Sequence, residues 1–234
     1  MIKQLQKLRG EIFKKNSTDD FIRWLRFANA GMLNSGNIYC MEYAVKNIPP
    51  GHPVLEIGSF CGLSTNVILY FLYKYKKTNP VFSCDKWIFE GAGEGRRVGN
   101  GPVLHPDYRD FVKETFIRNI EFFSGDRKPY TIEAFSDEFF KKWSEKALVK
   151  DVFGRETRLG GKIGFCYIDG NHQYEFARGD FENTDRFLEP GGFILFDDSY
   201  DGNRFGLSRL MKEIKKQKPY ELVMKNPNYL FKKR

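Results

Sequence analysis

The chain reads as an open α/β sheet, doubly wound and mostly parallel, with seven strands and one antiparallel strand in a C-terminal hairpin. Three observations lead there. Apolar strand-like runs alternate with amphipathic helical stretches along most of the 234 residues. Two runs, Cys166-Tyr-Ile-Asp-Gly-Asn-His-Gln-Tyr-Glu175 and Gly191-Gly-Phe-Ile-Leu-Phe-Asp-Asp-Ser-Tyr200, enclose a helical stretch at 175–188. Such a strand–helix–strand unit brings both strand ends to one edge of a parallel sheet. The last segment reads as two strands joined at Asn226-Pro-Asn228, and a turn that tight forces an antiparallel pair.

The elements follow in order. Residues 1–48 read as helical. Phe21-Ile-Arg-Trp-Leu-Arg-Phe-Ala28 spaces its apolar residues at helical intervals, with N-cap candidates in 17–20. A second amphipathic stretch, 38–48, ends at Pro49-Pro50-Gly51. Val54-Leu-Glu-Ile57 is a short buried strand, and 58–62 a glycine-bounded turn. A helix capped by Ser64 is predicted to run to about Lys77. Val81-Phe-Ser-Cys-Asp85 is the second strand. A glycine-rich insert at 90–106 has no periodicity and is expected to cover an acceptor. Residues 107–123 return to helix. Tyr130-Thr-Ile-Glu-Ala-Phe135 is the third strand and 136–143 a short helix. The polar stretch 151–162 reads as a surface excursion. Strands four and five end at Asp169 and Asp198, and 204–218 is a basic helix. Strands at 220–225 and 229–233 close the hairpin.

With 41% hydrophobic and 16% aromatic residues the chain can fill one core, which excludes a disordered chain. The expected organisation is an N-terminal helical extension, 1–48, serving as lid or dimer contact, and one domain over 49–234. No apolar run approaches the length of a membrane span, and the N-terminus lacks the apolar stretch of a signal peptide. Four cysteines without CxxC spacing read as reduced thiols, so a cytoplasmic location is expected. The net charge of +8 belongs to the ends. Residues 1–15 carry five Lys/Arg against one Glu, and 204–234 carry ten against two, which leaves −4 on the body between them. Solvated lysines explain the basic ends more simply than a nucleic-acid face.

Asp169, Asp197 and Asp198 converge at the edge where open α/β sheets bind ligands. Clustered carboxylates repel unless a cation sits among them, so a hard divalent ion such as Mg²⁺ is the expected guest. Adjacent aspartates point opposite ways along a strand, so Asp197 and Asp198 can share one ion only if the strand has already ended.

Val54-Leu-Glu-Ile-Gly-Ser-Phe-Cys-Gly-Leu-Ser64 resembles the first motif of class I S-adenosylmethionine-dependent methyltransferases, whose Rossmann-like sheet has the same strand sequence. Joined to the Ile168–Glu175 and Gly191–Asp198 segments, the likeness narrows to metal-dependent small-molecule O-methyltransferases of the catechol, sugar and antibiotic kinds. It covers roughly residues 50–234. It implies S-adenosylmethionine as donor and a hydroxyl of a sugar or natural-product intermediate as acceptor. Gly58 and Gly62 would let the backbone pass close to the donor, and the helix starting near Ser64 would aim free N–H groups at it. Glu56 would suit the cationic methionine end. Asp85 would accept from the ribose hydroxyls, and Ser136 and Asp137 lie where the family holds adenine. Asp169 would serve donor and metal sides together. His172 stands three residues past Asp169, the offset at which the catechol enzymes carry a lysine base. Its ordinary pKa of about 6.5 suits proton abstraction at neutral pH. A homo-oligomer is compatible with the aromatic N-terminal helices.

Three rivals are weaker. A nucleic-acid methyltransferase would use the basic ends, but Asn226-Pro-Asn-Tyr229 lies in the last hairpin rather than after strand four. A nicotinamide oxidoreductase needs Gly-x-Gly-x-x-Gly after strand one, which Gly58-Ser-Phe-Cys-Gly62 does not supply. A non-catalytic binder would not need the three acids.

Overall fold

The computed structural model describes residues 19–89, 91–93, 95–202 and 206–234. β1 (Val54–Ile57), β2 (Val81–Cys84) and β6 (Ile163–Ile168) are buried along their whole length. That follows from helices on both faces of a parallel sheet. The strands order as β3-β2-β1-β6-β7-β9-β8, with β3 at Tyr130–Ile132, β7 at Leu188–Phe196, β8 at Tyr220–Lys225 and β9 at Tyr229–Lys233. β9 runs antiparallel to both of its neighbours, and the other pairings are parallel.

Alternation along each strand divides the core. Val54, Phe165, Tyr167, Phe193 and Leu195 face one layer. It holds α1 (Asp20–Ala28), α2 (Ser35–Asn47) and α3 (Leu63–Lys74). Leu55, Ile57, Cys166, Ile168, Ile194 and Phe196 face the other layer. There lie α5 (Ser136–Ser144), α6 (Tyr174–Phe187) and α7 (Leu207–Lys216). α4 (His105–Ser124) adds a smaller cluster in which Val112, Phe116 and Ile120 meet Trp87 and Cys61.

α1 is capped by Asp19, one of the candidates in 17–20, which accepts from the Phe21 and Ile22 amides. Other local expectations shift. α2 begins at Ser35 under an Asn34 cap, earlier than the apolar periodicity suggests. The expected helix over residues 1–18 lies outside the described residues. α3 is not capped by Ser64: Gly62, in the left-handed region, is its N-cap, with no side-chain cap hydrogen bond. The stretch 151–162 is not simply a surface loop, because β4 (Leu148–Lys150) and β5 (Glu156–Arg158) form an antiparallel hairpin through it. Its strands are three residues long and half charged, too short for a period of two to show. β7 starts at Leu188 rather than Gly191, and a register shift against β6 absorbs the Pro190–Gly191 turn of chain. No helix among the described residues is long and apolar enough to cross a membrane.

Candidate active site

The strand order reverses between β1 and β6, and a cavity of about 980 Å³ opens beyond the carboxyl ends there. The loop after β1 forms its floor. Gly58 has φ +82°, and a Cβ there would stand 2.1 Å from the Asp169 carbonyl oxygen. The two strand ends therefore approach as closely as only glycine permits. Gly62 has φ +87° and starts α3, whose first turn carries the unpaired N–H groups.

Two acids hold this loop from opposite sides. Asp85, at the end of β2, accepts from the Ser59 and Phe60 amides at 2.7 and 2.9 Å and from the Trp87 amide at 2.6 Å. It lines the cavity, and burial raises its pKa. Glu56 does not line the cavity. It is wholly buried under α3, and its Oε2 accepts from the Ser59 and Thr65 hydroxyls. Oε1 has no hydrogen-bond partner. Burial pushes its pKa up to about 7, against the pull of the hydroxyls around it.

The acidic wall stands opposite. β7 ends at Phe196, so Asp197 and Asp198 lie in the turn that follows, with Asp198 at φ 45°. Asp169, His172 and Asp197 each offer a ligand atom, all within 4.8 Å of one another. His172 Nε2 is 3.7 Å from Asp169 Oδ1 and 3.8 Å from Asp198 Oδ2. Asp198 falls outside the tight grouping, although it lines the same cavity. Asp169 is held well above the usual carboxylate range by burial and by the neighbouring Asp197. Asp197 is raised too, by burial and by the charge of Asp198. Neither is paired to a lysine or arginine among the described residues.

Ser136 and Asp137 lie on the far wall at the start of α5. Ser136 is not the helix cap, a position held by Phe135. Sequence reasoning missed several residues that line the cavity or stand behind its wall. Asp180 on α6 is buried and cavity-lining, with a pKa pushed up to about 6 by burial. It sits on the apolar-periodic face of a helix, where a lone acid was the available signal. Trp87 packs beneath the loop and donates its indole N–H to the Phe60 carbonyl at 2.9 Å. Asn37 and Asn228 reach Asp197 from α2 and the last hairpin, with no local signal to announce them.

A family model described as a methyltransferase domain matches residues 55–199. No curated protein matches the chain. Solved structures of similar fold include the calicheamicin methyltransferase CalS11, 15% identical, with a TM-score of 0.54 over 84% of this chain and 77% of that one. An O-methyltransferase from Bacillus cereus, in complex with SAH, is 14% identical, with a TM-score of 0.52 over 99% and 98%. A putative rRNA-methylase from Clostridium thermocellum is 13% identical, with a TM-score of 0.54 over 88% and 100%. At such identities the likeness is one of fold.

Proposed function

The chain belongs to the methyltransferase-domain family, and we propose that it transfers the methyl group of S-adenosylmethionine to a hydroxyl of a small molecule, assisted by a divalent cation and by His172 as base. One observation carries the reading. The Gly58–Gly62 loop and the Asp169–His172–Asp197 grouping face the same cavity, with the Asp169 carbonyl against Gly58. A donor on the loop and an acceptor at the acids would then meet end to end.

The donor fits what the cavity offers. Asp85 presents carboxylate oxygens at the end of β2, the strand-end position from which dinucleotide folds bind ribose hydroxyls. Ser136 and Asp137 offer hydrogen-bond partners for adenine across the cavity. Gly58, Gly62, Ser64 and the first turn of α3 leave room and N–H groups for the methionine end. Glu56 lies beneath the loop and outside the cavity lining, with its Oε2 bound inside the fold, so it acts there through charge rather than contact.

The metal fits by the chemistry of its donors. The Asp169 and Asp197 carboxylates, the His172 imidazole beside them and the Asp198 carboxylate on the same cavity wall make an oxygen-rich set suited to a hard divalent ion. Asp169, Asp197 and Asp198 would hold it. Bound there, such an ion lowers the pKa of a hydroxyl and orients it. His172 takes the hydroxyl proton. The acceptor oxygen forms its bond to the methyl carbon in line with the breaking carbon–sulfur bond. The electron pair of that bond goes to sulfur, leaving neutral S-adenosylhomocysteine, and His172 releases its proton to water. A sugar or natural-product hydroxyl is the acceptor class favoured, the chemistry for which relatives in fold such as CalS11 are described.

A nucleic-acid substrate finds less support. Lys86 is the sole lysine or arginine among the described cavity residues. Arg209, Lys225, Lys233 and Arg234 in the basic C-terminal region are each paired to an acid. Thermal melts with S-adenosylmethionine and S-adenosylhomocysteine, each with Mg²⁺ or chelator, test the proposal. Either nucleoside raises the melting temperature and NAD leaves it unchanged, whereas Asp197→Ala keeps the nucleoside shift and loses the Mg²⁺ increment. A chain indifferent to both nucleosides refutes the donor. A wild-type chain that shows no Mg²⁺ increment refutes the metal.

A further inference from the structure

We propose that Asn37 and Asn228 form an amide clamp that fixes Asp197 for a divalent cation, which makes α2 a working part of the active site. The inference rests on the metal-assisted reading above and adds two positioning residues to it.

The two carboxamides are 191 residues apart in the chain and both fully buried. Each donates to the same atom, Asp197 Oδ1: Asn37 Nδ2 by a short bond, and Asn228 Nδ2 at 2.9 Å. Asn228 Nδ2 also donates to Asn37 Oδ1 at 2.9 Å, which locks the two amides to each other. Asn228 Oδ1 accepts from the Ser199 and Tyr200 amides at 2.9 and 3.0 Å, and so holds the turn in which Asp197 and Asp198 sit. Fixing that turn requires only the amide oxygen. The amide nitrogens go instead to the carboxylate.

The bonds divide the carboxylate oxygens by task. Asp197 Oδ1 is taken by the two carboxamides, and Oδ2 lies outside the clamp. Asp169 is treated alike: the Tyr167 hydroxyl donates to its Oδ2 at 3.0 Å, while its Oδ1 is the atom 3.7 Å from His172. Asn37 Nδ2 reaches the Tyr167 oxygen at 3.4 Å, so one helix residue touches the supports of both acids. A ligand whose rotamer is fixed by buried partners pays less to order itself around an ion, and loss of such partners typically weakens metal binding about 10- to 100-fold.

Mn²⁺ titration followed by electron paramagnetic resonance, on the full chain saturated with S-adenosylhomocysteine, tests the clamp. Calorimetry of S-adenosylhomocysteine without metal runs beside it. In Asn37→Ala and Asn228→Ser the Mn²⁺ Kd rises about 10-fold or more, while the nucleoside Kd stays within about twofold, as expected where the donor loop is untouched. A merely structural role would weaken both ligands or neither. Should Asn37→Ala not fold, Asn228→Ser decides by the same comparison. Folded variants that bind Mn²⁺ as tightly as wild type overturn the clamp alone. A wild-type chain that binds no Mn²⁺ overturns the metal reading, and the clamp with it.

Discussion

Glu56 is the residue whose ionisation the fold opposes most legibly. It lies on β1 with no exposed surface, and its pKa stands at about 7. In the unfolded chain the same carboxyl titrates near 4.5. Between those values the native state binds the proton that the unfolded state has released, so stability falls as pH rises. The contribution is full below about 4.5 and lost as pH climbs through about 7, and the shift corresponds to about 3 kcal/mol at most. Urea unfolding at pH 5 and pH 8 without ligands measures it. Wild type loses stability over that range, and Glu56→Gln loses less, the difference being Glu56's share. An identical pH slope in the two proteins would mean that Glu56 is as well solvated as an ordinary acid. The hydroxyls of Ser59 and Thr65 both aim at Oε2. Oε1 has no hydrogen-bond partner, which adds to the cost of keeping the carboxyl charged.

At the scale of elements, the β4–β5 hairpin separates stability from function. Its turn is organised by Asp151, whose Oδ1 accepts from the Phe153 and Arg155 amides at 3.0 and 2.8 Å. Its Oδ2 accepts from the Arg155 guanidinium, which also reaches the Lys128 and Pro129 carbonyls and so ties the hairpin to the start of β3. No hairpin residue lines the large cavity. Asp151→Ala leaves a guanidinium and two amides without their acceptor, for a loss of about 2–4 kcal/mol. S-adenosylhomocysteine affinity should stay within about twofold, because sites that far apart with no shared partner behave additively. Chemical denaturation and calorimetry check the two halves. A large change in nucleoside affinity would show that the hairpin is coupled to the site. The strands that carry the site were legible because they are long apolar runs closed by acids, as at Ile168-Asp169 and Phe196-Asp197. The hairpin was not, because three-residue strands bearing Lys150, Glu156 and Arg158 have no pattern to read. The start of α3 was misplaced for a related reason: serine is the commoner cap, but the left-handed turn needed at Gly62 overrode it.

For the whole molecule, the sheet order decides which distant residues meet. The acids at 169, 197 and 198 were visible from the sequence because parallel crossovers bring strand ends to one edge. The amides at 37 and 228 were not, because neither a helix face nor a hairpin turn signals what lies across the core from it. The Asn226-Pro-Asn-Tyr229 turn was set aside as a motif in the wrong place, yet Asn228 within it touches Asp197. Charge is likewise arranged at this scale. The net +8 sits largely at the chain ends, while the cavity wall gathers Asp85, Asp137, Asp169, Asp180, Asp197 and Asp198. Such a wall favours a sulfonium donor and a divalent ion over polyanions. The most direct test is anomalous diffraction at the manganese edge from crystals grown with Mn²⁺ and S-adenosylhomocysteine. The account predicts a manganese peak among Asp169, Asp197 and Asp198, with the nucleoside lying over Gly58 toward Asp85. A cavity that binds the nucleoside elsewhere, or a manganese peak away from these acids, would contradict it.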